Sequence, residues 1–456
     1  MARDIVLSNV RLIDGIADQA QERVSITISG ERIKAITNDA GPSGPDVEVV
    51  NCEGKTVMPG LIDTHVHSTL VSDIDLSLFL ATGVTTARDV GGRLDKVLTL
   101  RERLNKGEVL GPRLFVCGPL LDGGHKTFPD GAFGEILDTV TSVEEAPGKI
   151  NSLLDAGVDG IKLYFAMTPD IMEACLNTVD KQVPVTGHIG ATTALEAVTM
   201  GIDGLEHMWI SPYNNICPVE MRFGPEMSMM SSRFPKVTFK GWEDADLQGP
   251  GAQELFNLMA EKQVKMGTTL DLLWVDNIGI EEALKDTDRI YIPEAGLAHQ
   301  RSLAKVVKAG EEWDIHTGYP PGNGKKALEK QKEAVRILHE KGGVIVGGTD
   351  CCGIAYPPPG FALWREAELL ADAIGDMAAL KAITASAASA LRKEDELGTI
   401  KPGCYADILV LGKDPSEDVR NLRSLECVYR SGVAHDPKAL LDAYPARDFN
   451  NMGMAS

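Results

Sequence analysis

The sequence lacks an excess of positive charge: 45 lysine and arginine residues face 66 aspartate and glutamate residues, giving a net charge of −21. A chain of this sign repels phosphate, so we expect no nucleic-acid partner and no anionic-membrane partner. The sequence also lacks an apolar run near the ~20 residues that span a bilayer, and its start resembles no signal peptide. We therefore expect a cytoplasmic protein without a membrane partner.

The eight cysteines lack C-x-x-C spacing, which argues against both a disulfide framework and a zinc-finger site. A G-x-G-x-x-G motif after a first strand is also missing, so an open dinucleotide-binding sheet has no support. The length of 456 residues allows about three domains, although an α/β barrel can hold 250 residues or more as one unit. A large buried core is therefore available.

Residues 2–57 alternate apolar and polar side chains between turn signals such as Asp14-Gly15, which predicts a small antiparallel β unit. From Pro59 onward, short apolar strands alternate with helix-length segments, as is typical of βα units and a parallel sheet. Eight such units predict an α/β fold with a (β/α)8 TIM barrel over residues 58–395. Alternation returns near the end, so we predict that residues 1–57 and 396–435 form one small β-sandwich domain, followed by a tail at 436–456.

The predicted barrel strands begin at Leu61 and then cover Val84–Asp89, Arg113–Gly118, Gly160–Phe165, Val183–His188, Gly204–His207, Val264–Leu272 and Gly343–Asp350. The predicted helices include Ile74–Thr82, Leu94–Asn105, Phe361–Ile374 and Met377–Leu391.

Two stretches, Met208–Pro250 and Asn277–Gly324, are far longer than ordinary βα loops and follow barrel strands, so they are candidate lids. The first is rich in methionine and aromatic residues. Two interpretations stay open for it: a substrate or subunit contact, or ordinary packing onto the barrel rim. We expect a homo-oligomer.

Polar side chains lie at the ends of the predicted strands. These residues are His65, His67, Lys162, His188, His207 and Asp350. Singly, each has an ordinary explanation, such as a core histidine, a strand-end lysine that reaches solvent, or the first residue of a helix. Jointly they fall at the edge where barrel active sites lie, and they include four of the nine histidines. The pattern therefore favours a metal site.

Several motifs resemble those of the amidohydrolase superfamily. Pro59-Gly60-Leu61-Ile62-Asp63-Thr64-His65-Val66-His67 is similar to its opening motif, Gly187-His188 and Glu206-His207 to its ligands on strands 5 and 6, and Gly348-Thr349-Asp350 to its aspartate on strand 8. The segments Gly398–Gly403 and Ala406-Asp407 resemble its closing β segment. Gly160-Ile161-Lys162 and Gly123-Gly124-His125 are most similar to the branch that holds Xaa-Pro and Xaa-Arg peptidases and hydrolases of molinate and phenylurea herbicides.

The resemblance implies two divalent metal ions. His65, His67 and Asp350 would hold one ion, His188 and His207 the other, and Lys162 would bridge both as a CO2-derived carbamate. A hydroxide shared by the ions would attack the substrate carbonyl, and Asp350 would move its proton to the leaving nitrogen. Such ligands suit zinc, but also cobalt, manganese or iron.

Two further residues are candidate catalytic groups. Tyr164 lies two residues after Lys162 and shares its face of the strand, while His125 lies in a glycine-rich loop. Either one can donate a hydrogen bond to a developing oxyanion, position the substrate or have a purely structural role.

The favoured function is hydrolysis of a C–N bond in a neutral apolar small molecule: an amide, carbamate, thiocarbamate or urea. A dipeptidase is the alternative, and it needs a cation for the substrate carboxylate, for which Arg88, Arg222 and Arg233 are candidates. A catalytically silent relative is the third possibility, disfavoured because all six expected ligands are present.

We predict that the purified protein holds up to two transition-metal ions per chain and loses activity on chelation. His65→Asn should sharply reduce both bound metal and turnover, because one of the six converging ligands is lost. Metal analysis of both proteins checks the prediction, and a His65→Asn protein with full metal content and rate would contradict it.

Overall fold

The structure is a computed structural model, and it describes residues 3–38, 41–70, 75–124, 126–128, 131–223, 233–273, 285–291, 324–351 and 358–444. Its fold is mixed α/β, with one sheet built from both ends of the chain and parallel strands in between. Within these ranges, no helix is both long enough and apolar enough to cross a membrane.

In chain order, the strands of the described residues are β1 (Asp4–Leu12), β2 (Gln21–Ser29), β3 (Arg32–Thr37), β4 (Val47–Asn51), β5 (Thr56–Pro59), β6 (Leu61–Val66), β7 (Val84–Asp89), β8 (Arg113–Val116), β9 (Leu120–Asp122), β10 (Leu137–Thr139), β11 (Ile161–Leu163), β12 (Val185–Gly187), β13 (Gly204–Glu206), β14 (Lys265–Gly267), β15 (Val344–Val346), β16 (Ile408–Leu411), β17 (Leu425–Arg430) and β18 (Val433–His435).

The α-helices of these residues are α1 (Ser77–Ala81), α2 (Leu94–Asn105), α3 (Gly131–Ile136), α4 (Ala146–Asp155), α5 (Pro169–Val179), α6 (Ala194–Met200), α7 (Tyr213–Ile216), α8 (Arg233–Glu243), α9 (Pro250–Lys262), α10 (Lys325–Glu340), α11 (Phe361–Ile374), α12 (Asp376–Ala382), α13 (Ala385–Ala390) and α14 (Pro437–Ala443). Short 3-10 turns cover Val219–Met221, Leu270–Leu273, Thr287–Tyr291 and Val419–Ser424.

The two chain ends meet in one eight-stranded sheet, in the order β18-β17-β16-β5-β1-β2-β3 with β4 also paired to β1. The junction is the antiparallel pair β5–β16, where Met58 lies opposite Leu409. The prediction of an antiparallel unit is confirmed for β1, β2 and β3 but wrong for β4 and β5, which run parallel to β1. Alternation marks a residue as part of a strand, but it carries no information about the direction of the partner strand.

The parallel strands form two sheets, β6-β7-β8 and β10-β9-β11-β12-β13-β14-β15. The main chain links them at both junctions. Beyond β15, Val66 and Cys351 form a parallel bridge, and Thr64 N–H donates to Gly347 O (3.3 Å). At the other junction, Asp159 N–H donates to Val116 O (2.7 Å). The carboxyl ends of these strands therefore lie along one edge.

The third predicted strand, Arg113–Gly118, corresponds to β8, and an additional strand, β9, follows it before the glycine-rich loop. Gly118 adopts a left-handed φ of 75°, and Pro119 follows it, so the chain bends there and changes partner. β8 pairs with β7, whereas β9 pairs with β11 and with the additional strand β10.

Helices α2 and α11 have the predicted bounds, but the single helix predicted over Met377–Leu391 is wrong. It is interrupted between α12 and α13 at Thr384, whose φ and ψ are −134° and −95°. The main-chain carbonyls here accept hydrogen bonds from distant parts of the chain: Ile383 O accepts from Ile62 N (2.8 Å), and Ala382 O accepts from Gly347 N (3.0 Å). These tertiary hydrogen bonds replace continuation of the helix.

The long stretch Met208–Pro250 is not a simple loop, because it contains α7 and α8. Its described apolar residues are mostly buried, including Met208, Tyr213 and Trp242, each 0% exposed. For these residues, packing into the apolar core beside the parallel strands is the interpretation that the structure supports. Of the second stretch, only 285–291 and Gly324 lie within the described residues.

Leu409 lies where the sheet of the chain ends packs on the parallel strands. It is 1% exposed and belongs to the apolar cluster that includes Met58, Phe79 and Val84. We predict that Leu409→Ala lowers the free energy of unfolding by about 2–5 kcal/mol through lost burial and a residual cavity. Urea unfolding measures it. Val433→Ala on β18, 59% exposed, is the control and should change stability by less than ~0.5 kcal/mol; equal losses would contradict the prediction.

Candidate metal centre

The predicted ligands meet at the carboxyl edge of the parallel strands. His65 lies in β6 and Lys162 in β11, while His188, His207 and Asp350 follow β12, β13 and β15. Ligand atoms of His65, His207 and Asp350 all lie within 4.8 Å of one another. The ring centroids of His188 and His207 are 4.4 Å apart. The parallel direction of the strands therefore gathers residues that are nearly 300 positions apart in the sequence.

His67 joins this group through Asp350. Its Nε2 lies 3.0 Å from Asp350 Oδ1, and its Nδ1 donates to Gly91 O (2.7 Å). A carbonyl only accepts, so Nδ1 carries a proton and Nε2 faces the carboxylate. Gly91 permits this approach, since a Cβ there would lie 2.7 Å from His67 Cε1.

All six predicted ligands are buried, and none is more than 7% exposed. Burial lowers the pKa of His65 to about 4 and lowers the pKa of His188 and His207 well below the ordinary value. These imidazoles are therefore neutral at pH 7, and each has a nitrogen lone pair to offer to a metal.

His67 and Asp350 behave as a charged pair. Burial alone would lower the pKa of His67, but the hydrogen bond to Asp350 and its charge raise it above the ordinary value. Burial alone would raise the pKa of Asp350, but the hydrogen bond from His67 and the neighbouring histidines lower it. A metal cation between Nε2 and Oδ1 would take the place of the proton that now joins them.

Lys162 is 1% exposed, and its Nζ has no hydrogen-bond partner among the residues that the structure describes. Burial lowers its pKa to about 8 despite the opposing charge of Glu206. A buried amine with this pKa reaches its neutral, nucleophilic form far more readily than a surface lysine. In the same described part of the chain, His188 Nε2 also lacks a hydrogen-bond partner, so the centre contains two buried polar atoms that require one.

The backbone at the centre is strained. His207 and Asp350 have left-handed φ values of 65° and 55°, and Thr269, which contacts His207 Nδ1 at 2.8 Å, has 47°. Residues other than glycine rarely adopt this conformation, and each instance costs about 1–3 kcal/mol. Such strain is concentrated at functional sites, where the surrounding structure enforces it.

The donor set fits divalent transition metals. Four imidazoles, one carboxylate and an amine able to carry a carbamate are the ligand types that zinc, cobalt, manganese and iron accept. The unpartnered atoms of Lys162 and His188 support this fit, because a buried polar atom without a partner is costly unless a ligand satisfies it.

Sequence reasoning missed three groups that hold the histidines in place: Glu206 at His65, Thr269 at His207 and the Gly91 carbonyl at His67. Only Glu206 had a signal in the sequence. A glutamate at the buried end of a strand, directly before His207, needs a partner inside the protein.

Two of the arginines considered for a substrate carboxylate are engaged elsewhere. Arg88 is buried, with Nη2 2.5 Å from Glu206 Oε1 and Nε donating to Thr64 O. Arg222 Nε donates to Cys217 O (3.2 Å). The side chain of Arg233 lies outside the described residues.

Aromatic rings surround the ligands. Tyr164 is buried, with its ring centroid 4.8 Å from that of His188, and burial raises its pKa well above the ordinary value, so it keeps its proton. The ring centroid of Trp209 lies 5.9 Å from that of His188, and the ring centroid of Phe133 lies 6.3 Å from that of His67. His125 lies outside the described residues.

The amidohydrolase family model matches residues 56–212 and 237–434. The chain belongs to the amidohydrolase family. The resemblance inferred from the sequence is thereby confirmed, and hydrolase activity is the activity of this family.

Among characterised amidohydrolase relatives, the N-substituted formamide deformylase of Arthrobacter pascens is 34% identical over 102 residues, which are 22% of this chain and 17% of that enzyme. The chain thus spans less than a fifth of that relative.

Among solved structures, a putative prolidase from Bifidobacterium longum is 25% identical with a TM-score of 0.67, covering 97% of this chain and 99% of that one. Molinate hydrolase is 18% identical with a TM-score of 0.68 and 98% coverage of both chains. A Xaa-Pro dipeptidase with methionine bound in its active site is 22% identical with a TM-score of 0.67, covering 95% of this chain and 100% of that one. The last two identities show a shared fold alone.

We predict that metal-free Lys162→Met is more stable than the metal-free wild type at pH 7, by on the order of 3 kcal/mol, since each pKa unit corresponds to about 1.4 kcal/mol. The pKa of Lys162 is about 8 in the folded protein and about 10.4 when unfolded. The folded protein therefore binds fewer protons between these values, so wild-type stability rises with pH through that window. Urea unfolding from pH 7 to 10.5 measures the difference, which should shrink toward zero.

Lys149, which is half-buried with its Nζ 2.7 Å from Asp138 Oδ1, provides the control, and Lys149→Met should lack the stabilisation expected for Lys162→Met at pH 7. A Lys162→Met difference that stays constant over the whole pH range would show that the effect comes from packing rather than from the buried charge.

Proposed function

We propose that the protein is a metal-dependent hydrolase of C–N bonds other than peptide bonds, acting on a small neutral apolar amide, carbamate, thiocarbamate or urea. The observation that carries the proposal is that six buried ligand-type side chains lie at one edge of the parallel strands, among them Lys162, whose Nζ has no hydrogen-bond partner within the described ranges. Membership of the amidohydrolase family supports hydrolysis, and the aromatic surroundings support the apolar substrate.

The proposed architecture is a closed (β/α)8 barrel over residues 58–395. Its support is the main-chain bonding at both junctions between the two parallel sheets, Thr64 to Gly347 and Asp159 to Val116. The proposed β-sandwich domain combines residues 1–57 with 396–435, leaving 436–456 as a tail, and its support is the β5–β16 pair.

For the proposed centre, His65, His67 and Asp350 would hold one divalent ion, His188 and His207 would hold a second, and Lys162 would be a ligand shared by both. Such ions, when bound, would lower the pKa of a water molecule towards ~7 and polarise the substrate carbonyl. The neutral amine of Lys162 would form a bond to CO2 and release a proton, which would convert the neutral amine into an anionic carbamate with oxygen ligands. The depressed pKa of Lys162 supports this step.

Asp350 is the proposed proton carrier. Its carboxylate takes the proton of the attacking water and delivers it to the nitrogen that leaves. The contact with His67 supports this role, because it holds the carboxylate at the centre and keeps its pKa low. Tyr164, which keeps its proton at neutral pH, is a proposed donor to the developing oxyanion, and His125 is proposed for the same function.

The proposed substrate follows from the residues around the ligands. Phe133 stands at His67, with Phe128 packed against it (5.4 Å between centroids). Trp209 stands at His188 and His207, and its carbonyl accepts from Trp242 Nε1 (2.6 Å) in α8. Partly exposed rings favour apolar substituents, each adding ~1 kcal/mol or more of binding.

A dipeptidase of the Xaa-Pro or Xaa-Arg type is the second candidate. The putative prolidase of B. longum, 25% identical over nearly the full length, favours it. A substrate carboxylate needs a cationic partner, and among the described arginines considered for that role both Arg88 and Arg222 donate to groups of the protein itself. This arrangement supports the neutral substrate.

We predict that Lys162→Ala loses at least ~10²-fold in kcat and regains part of its activity when a short carboxylic acid is added, because the acid supplies the bridging oxygens. Steady-state rates with and without propionate measure the effect. Lys149→Ala is the control and should neither lose activity nor respond to the acid. Full activity of Lys162→Ala without any acid would refute the bridging role.

Substrate class is decided by a panel that sets N-aryl and N-alkyl amides, carbamates, thiocarbamates and ureas against Xaa-Pro and Xaa-Arg dipeptides. We expect kcat/KM to be at least ~10-fold higher for the best neutral compound, since the cost of burying a carboxylate without a cation exceeds ~1.4 kcal/mol. Assays of metal-stripped enzyme give the background. Efficient turnover of dipeptides alone would establish the peptidase instead.

A further inference from the structure

The carboxylate of Glu206 lies among the parallel strands, 1% exposed. Both of its oxygens are engaged. Oε1 accepts from Arg88 Nη2 (2.5 Å) and from the hydroxyl of Thr186, and Oε2 lies 2.9 Å from His65 Nδ1. One buried carboxylate thus joins strands β6, β7, β12 and β13 directly below the metal centre. A buried charge is retained only where such partners compensate it.

The contact with Glu206 determines which ring nitrogen of His65 can bind a metal. An ionised carboxylate oxygen only accepts, so His65 Nδ1 carries the ring proton. The lone pair is therefore on Nε2, which faces Asp350 Oδ1 at 3.6 Å. Carboxylate partners of this kind fix the tautomer and orientation of a histidine ligand and raise its basicity.

Arg88 holds the same histidine from a second direction. Its Nη2 donates to Glu206, and its Nε donates to Thr64 O (2.7 Å), the carbonyl of the peptide bond that leads into His65. One guanidinium therefore fixes both the carboxylate that orients the ring and the main chain that carries it. It also compensates the negative charge of Glu206 at a buried position.

The approach of Glu206 to His65 depends on Gly267 in the neighbouring strand β14. A Cβ at Gly267 would lie 2.3 Å from Glu206 Oε2, the oxygen that contacts His65. The site thus has one place where the contact can be disturbed without changing any charge.

We propose that Glu206, held by Arg88, is a positioning residue that fixes His65 as the Nδ1–H tautomer and directs its Nε2 lone pair to the metal. The proposal rests on the proposed function for the presence of a metal at His65, but the tautomer itself belongs to the protein alone.

The first experiment compares metal affinity in the full-length protein. We expect Glu206→Gln to bind Co²⁺ about 10- to 100-fold more weakly, the usual effect of losing such a partner, and to show an altered visible spectrum of bound Co²⁺. Competition with a chelator measures affinity, and thermal unfolding of the metal-free proteins shows whether the fold is retained. Glu102→Gln, the same substitution at an exposed glutamate of α2, is the matched control and should bind Co²⁺ like the wild type.

Glu206→Gln leaves the charge of Arg88 uncompensated, which can prevent folding. A second variant therefore tests the proposal without changing any charge. Gly267→Ala keeps every charge and displaces Oε2, and it should weaken Co²⁺ binding in the same way. A folded Glu206→Gln or Gly267→Ala protein with wild-type Co²⁺ affinity and spectrum would overturn the proposal.

The second experiment needs no variant to fold and no metal to bind. Nitrogen-15 NMR of histidine-labelled, metal-free wild-type protein should find the ring proton of His65 on Nδ1; a proton on Nε2 would overturn the proposal. A wild type that binds no Co²⁺ but has the Nδ1–H tautomer would defeat the metal-dependent function and leave the positioning of His65 standing.

Discussion

Burial of the polar side chains at the strand ends is the constraint on which the rest of this structure depends. Burial moves each titratable group toward its neutral form, and for His65, His188, His207 and Lys162 that is the form a metal or CO2 requires. The same burial makes every polar atom costly unless it has a partner. The protein meets that demand with the Gly91 carbonyl, Thr269 and Glu206, so the groups that stabilise the histidines are also the groups that orient them.

Much of the architecture was readable from periodicity. The eight βα units, the helices α2 and α11 and the return of the chain end to the first strands all follow from local patterns of burial and alternation. The errors arose where distant parts of the chain decide the outcome. The helix is interrupted at Thr384 because the carbonyls of Ile383 and Ala382 accept hydrogen bonds from β6 and from the residue after β15. The local sequence around residue 384 does not predict these distant partners.

For the candidate centre, too, the sequence predicted some of the residues but not others. The ligand-type residues were visible because histidine, lysine and aspartate at successive strand ends are unusual, and the topology of parallel strands brings such positions together. Glu206 and Arg88 were not assigned correctly, since a glutamate beside a histidine and an arginine in a strand are each ordinary. Their role depends on a contact between two residues that are 118 positions apart in the sequence. Only the folded structure, which brings β7 and β13 together, shows this contact.

The pairing of β5 with β16 has a consequence for synthesis of the chain. The partners Val57 and Val410 lie 353 positions apart, so the edge of β5 that pairs with β16 stays open until Ile408–Leu411 have left the ribosome. Contacts of such long range are slow to form, and an open strand edge is a site of misassociation while they do. The nascent chain must therefore protect this edge throughout translation, and any truncation before Ile408 leaves it permanently open.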